Sequence, residues 1–101
     1  MPDSAPSKAR RERAESIAIQ ALGFFAQDPD RLGNFLAETG LGPDSLRDAA
    51  KQPAFLAGVL DHLMRDEAVL LAFALSANVE PNAIVRAHAD LGGRSWERDI
   101  P

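Results

Sequence analysis

An all-α protein, folded as a compact bundle of about five to six short helices, is what this sequence predicts, and three observations carry the expectation. Apolar residues recur three and four apart over most of the chain, as in helices with one inward face. A cap-like residue precedes proline at Asp28-Pro29, Gly42-Pro43, Gln52-Pro53 and Glu80-Pro81, and each pair opens such a segment. Proline in the first helical turn gives up only an amide that lacks a partner, and its fixed φ suits a helix start. No segment shows the period-two alternation between turn residues that marks a hairpin.

The opening MPDSAPS has two prolines and no large apolar residue beyond Met1. It buries too little to offset its ordering entropy, so residues 1–7 are expected to form a disordered arm, with Ser7 able to cap the first helix. That helix runs to about Gln27 through Ala14, Ile17, Ala18, Ala21, Leu22 and Phe25. Asp28 caps a second helix with Leu32, Phe35 and Leu36 on one face, stopped by Gly40, which suits the left-handed position after a helix. Leu41 is expected to fold back onto it. Pro43 to about Ala50 is a helix of roughly two turns that needs packing to persist.

Pro53 starts a helix with a wide apolar face of Phe55, Leu56, Val59, Leu60 and Leu63, ending near Arg65. Asp66 caps the next, and Ala68 to Ala77 is apolar almost all round, so this helix is expected at the buried centre of the bundle. Asn78 or Val79 ends it. Pro81 restarts the chain, and Ile84, Val85, His88 and Leu91 face inward before Gly92-Gly93. The expected organisation is one helical domain over 8–92 and a flexible tail over 93–101, which carries the single tryptophan, Trp96.

Composition narrows the function. The chain has 101 residues, 46% hydrophobic, with 11 Lys+Arg against 15 Asp+Glu and no cysteine. A thiolate nucleophile, a zinc knuckle and an iron–sulfur cluster are therefore excluded, as is a disulfide scaffold. Ala68–Ala77 is about half the length of a membrane span and the N-terminus lacks a signal-peptide stretch, so a cytoplasmic location without a membrane is expected. Formal net charge is −4, and four basic residues, Lys8, Arg10, Arg11 and Arg13, stand in the first fifteen positions against Asp3, Glu12 and Glu15. The acidic remainder repels phosphate backbones, so nucleic-acid binding would rest on this arm alone. Glu12 and Glu15 are expected to pair with the arm's basic residues at helical spacing.

Candidates for chemistry are few. His62 stands among Asp61, Arg65, Asp66 and Glu67 and reads as a solvated helix end; His88 reads as a partly buried residue bonded to a carbonyl. No serine sits in a nucleophile elbow, and Gly40-Leu41-Gly42-Pro43 lacks the spacing of a phosphate-cradling loop. No catalytic residue, metal ligand or cofactor is assigned. Ile19 and Phe24 point away from the inward stripe of the first helix, so that helix is either surrounded by its own bundle or presents a face to a second chain. Trp96 covers a groove of its own domain, anchors a partner or stays exposed.

The stretch AIQALGFFAQDPDRLGNFLAETGLGPDSLRDAA (Ala18–Ala50), followed by QPAFLAGVLDHLMRDEAVLLAFA to Ala74, resembles the domain of unknown function 3572 family. The resemblance runs from about Ala14 to Gly93 and rests on the ordered Asp28-Pro29, Gly40-Leu41-Gly42-Pro43, Pro53-Ala54-Phe55-Leu56 and Asp66-Glu67 elements. It implies a small helical protein of bacterial, mainly alphaproteobacterial, origin and transfers no activity and no site. The leading expectation is a non-enzymatic protein-interaction or adaptor module with an unidentified protein or a second copy as partner, using Ile19, Phe24 and Trp96. The alternative is a nucleic-acid-binding accessory protein using Lys8, Arg10, Arg11 and Arg13. A metal-dependent enzyme built on His62, Asp61 and Asp66 is the third and weakest.

Overall fold

A computed structural model describes residues 7–92. Six α-helices follow one another: α1 (Lys8–Ala26), α2 (Pro29–Thr39), α3 (Leu46–Ala49), α4 (Pro53–Met64), α5 (Glu67–Ala77) and α6 (Pro81–Asp90), with a 3₁₀ turn, Pro43–Ser45, leading into α3. No strand occurs among the described residues. The expected arm, apart from Ser7, and the expected tail lie outside them.

Local chemistry sets the boundaries. Ser7 belongs to α1 as its N-cap, its Oγ accepting the Arg10 amide at 3.1 Å. Asp28 Oδ1 accepts from the Asp30 and Arg31 amides, and Asp66 Oδ1 does the same for Ala68 and Val69, so two helix starts are closed by one carboxylate each. Pro29, Pro53 and Pro81 occupy the first positions of α2, α4 and α6, while Pro43 opens the 3₁₀ turn. Gly40 stops α2 with φ 75°, and Asn78 stops α5 with φ 57°, the one positive φ among described non-glycine residues. Asparagine tolerates that region better than most side chains.

Helices α1 and α4 form the middle of the bundle. Ala14, Ala18 and Ala21 recur on one side of α1, and their small side chains let α4 and α6 approach closely; Ile17 and Phe25 complete the face. Against it α4 buries Leu56, Ala57, Val59, Leu60 and Leu63, and α6 contributes Ile84 and Ala87, with Leu91 just beyond its end. Phe35 is the one fully buried residue of α2, its ring 5.5 Å from that of Phe25 and 5.7 Å from that of Phe55.

Three expectations are corrected. Helix α5 is not the buried centre: only Phe73 and Ala74 are buried, while Leu71 and Leu75 are 47% and 85% exposed. Val85 is turned outward on α6. Leu22, Leu32 and Leu36, expected on inward faces, are only partly buried, because Leu22 sits on the flank of α1 and the other two on α2 at the edge of the bundle. The core fills with alanines in their place.

Replacing Phe35 with Ala should lower unfolding free energy by about 3–5 kcal/mol, the usual cost of a deleted buried ring. Asp66→Ala should cost about 1 kcal/mol through loss of the cap. Urea denaturation monitored by far-ultraviolet circular dichroism measures both, and a Phe35 variant as stable as the parent would contradict this packing.

Candidate interaction surface

Helix α5 carries the clearest exposed feature. Ala68, Leu71, Ala72, Leu75 and Ser76 share its outward side, all exposed and none charged. Leu71 and Leu75 are one turn apart, and with Ala74, Val79 and Pro81 they line an open groove of about 360 Å³ that runs to the α5–α6 corner, where Asn78 and Glu80 close its lining. The corner explains why the side is uncovered. Val79 N–H donates to Ala74 C=O at 2.9 Å around left-handed Asn78, Pro81 restarts the helix, and the axes of α5 and α6 differ by 100°. The last helix therefore turns back onto α1 and α4 instead of lying along α5. No single described helix is long and apolar enough to cross a membrane.

The residues expected at an interface separate. Ile19 is 51% exposed on α1. Phe24 turns inward, correcting its expected direction: it is half-buried, edge-on to Phe73 with centroids 5.6 Å apart, and the Arg31 guanidinium lies 5.8 Å from its ring centre. Trp96 lies outside the described residues.

The basic residues Lys8, Arg10, Arg11 and Arg13 are exposed in the first two turns of α1. The expected pairs with Glu12 and Glu15 are not formed. Arg10 instead reaches α6, where its guanidinium donates to the Asp90 carboxylate at 2.7 Å; the Asp90 side chain is only 12% exposed, so this bond ties the two helices together. Charge-assisted bonds of this kind are the stronger ones.

A second polar network joins α2, α4 and α6. His62 Nδ1 is hydrogen-bonded to Glu38 Oε1 at 3.2 Å, and Arg65 donates to the same oxygen at 3.0 Å and to Asp61 Oδ2 at 3.0 Å. His88 Nε2 lies 3.7 Å from the other Asp61 oxygen. Neither histidine fits its expected setting: His62 is no solvated helix end, its side chain being 18% exposed with Phe25 and Phe35 edge-on at 5.4 and 5.3 Å, and His88 faces a carboxylate rather than a carbonyl. The partner that sequence reasoning missed is Glu38, which stands 24 positions away.

His62 and Glu38 border a cleft of about 550 Å³ with Asp28, Asp30, Arg31, Asn34 and Asp66. Its carboxylates are mostly engaged within the chain. Asp28 and Asp66 cap helices, Asp28 also pairs with Arg31 at 3.4 Å, and Glu38 holds His62 and Arg65. Asp61, His62 and Asp66, grouped in the third expectation, therefore point to three different partners. Among the described residues no group of three or more His, Asp and Glu side chains is placed to hold a metal ion.

These features define an all-helical bundle whose clearest outward feature is an apolar helix face. The chain belongs to the family described as protein of unknown function (DUF3572), whose model matches residues 11–94. No curated protein and no solved structure matches it.

Removing His62 tests whether the network is structural. His62→Ala should lower stability by about 1–3 kcal/mol because the ring packs against two phenylalanines. A double-mutant cycle between Glu38→Ala and Arg65→Ala should give a coupling of only about 0.2–1 kcal/mol, both groups being substantially solvated. Denaturant unfolding of the four proteins in the cycle measures it.

Proposed function

We propose that this protein is a non-enzymatic protein-interaction module, and that its partner is a second copy of itself, docked through the outward side of α5. The observation that carries the reading is the exposure of Leu71 and Leu75 on a side whose stretch from Ala68 to Ser76 holds no charge, with Glu67 and Glu80 at its ends. Burying one leucine is worth about 1.5–3 kcal/mol, so two adjacent exposed leucines are a substantial driving force for association. Size alternation favours self-pairing over an arbitrary partner. Along the face the small Ala68, Ala72 and Ser76 leave room beside the larger Leu71 and Leu75, so a copy related by a two-fold axis sets its leucines against these small residues.

The competing reading, a nucleic-acid accessory protein using the arm of α1, has less support because Arg10 is already bound to Asp90. Light scattering on the eluting peak of the purified chain tests the proposal. Self-pairing predicts twice the chain mass at tens of micromolar, and Leu75→Glu should give a monomer whose thermal midpoint at high dilution matches the parent. A parent that stays monomeric at every accessible concentration, or a Leu75→Glu dimer, would overturn it.

A further inference from the structure

We infer that the groove between α1 and α6 is a binding site for a phosphate monoester, held between Arg13 and Arg86. Two adjoining cavities, of about 280 and 500 Å³, run along this junction and share Arg13, Ile17, Ala83 and Arg86. One arginine rises from each helix. The floor is apolar, formed by buried Ile17 and half-buried Ala83. The packing of α1 against α6 thus puts two arginines that the sequence separates widely on the lining of one groove.

The charges in the groove do not neutralise one another. At one end Arg10 and Asp90 form a closed pair at 2.7 Å, so Asp90 is occupied. Glu80 lines the other end. Among the described residues, Arg13 and Arg86 make no ion pair, either with Glu80 or with any other carboxylate, although the chain carries more acidic than basic groups. Two like charges bordering one groove repel, and a bound anion removes that cost.

The class of anion follows from charge and shape. Arg13 and Arg86 outweigh Glu80, so the groove keeps a positive charge for an anion, and two arginines supply more donors than the two oxygens of a carboxylate can accept in paired fashion, whereas a phosphate monoester offers three acceptor oxygens. The planar fork of arginine presents paired donors to adjacent phosphate oxygens. Beside the arginines, Gln20 and Asn78 offer neutral donors, and Ile17 and Ala83 give an apolar surface for the body of an organic monoester.

Titration of the isotope-labelled full chain with inorganic phosphate and, separately, with adenosine monophosphate tests the site by nuclear magnetic resonance. Saturable one-site shifts at Arg13, Ile17 and Arg86 are expected with at least one probe. Arg13→Gln and Arg86→Gln should each weaken binding about tenfold, as removal of a charge-assisted hydrogen bond does. Arg47→Gln, at an exposed arginine on α3 outside the groove, should leave it unchanged. Equal affinity for the two probes supports recognition of phosphate alone, and tighter binding of the nucleotide adds the apolar floor to it. Absence of saturable shifts with both probes, equal weakening by Arg47→Gln, or binding of duplex DNA without either small probe would overturn the inference. Both groove variants remain informative because the side chains replaced are exposed and make no ion pair among the described residues.

Discussion

Close approach of α4 and α6 to α1 is the constraint on which the rest of the structure depends, and it exists because α1 presents alanine where a larger residue would hold the helices apart. Ala14, Ala18 and Ala21 are essentially inaccessible to solvent. With the backbones near one another, Phe25 fills the end of the seam and meets Phe35 from α2, while His62 closes the aromatic cluster from α4. A bulky residue at Ala18 or Ala21 would overpack a core with no room to yield. The same approach brings Arg10 to Asp90 and sets Arg13 across from Arg86, so one stripe of small side chains shapes both the core and the charged groove above it.

Helix boundaries were legible in the sequence because their causes are local. Asp28, Asp66 and the prolines act within one turn of where they stand, and Gly40 answers to its own backbone angle. Burial is a different kind of information. Ala68–Ala77 is apolar on every side, and such a segment does not say which side meets its neighbours; only two helices can be central in a bundle this small, and α1 and α4 take those places. The exposure of Leu71 and Leu75 was hidden for that reason. Phe24 misled in the opposite direction, since a residue off the main stripe of α1 still finds Phe73 on another helix.

The polar contacts show the same division. Capping bonds span two or three residues and were anticipated, whereas Glu38 with His62 and Arg10 with Asp90 join positions 24 and 80 apart. Local reasoning offered Glu12 and Glu15 to the basic arm by helical spacing. Tertiary packing displaced that choice because it supplied Arg10 with Asp90 on a neighbouring helix. Of the candidate surface, the arm's position and the outward Ile19 were readable; the role of Arg86 was not, since nothing in its neighbourhood along the chain distinguishes it.

The corner at Asn78–Pro81 then decides what the molecule offers to its surroundings. A straight continuation of α5 would give a single long apolar helix needing cover along its whole length. The left-handed residue and the proline divide that length, and the 100° bend sends its second half into the core beside α1. What remains on α5 is a short uncharged face, and Asn78, Val79 and Glu80 border both its groove and the arginine-lined groove. The two surfaces are thus neighbours on either side of one turn.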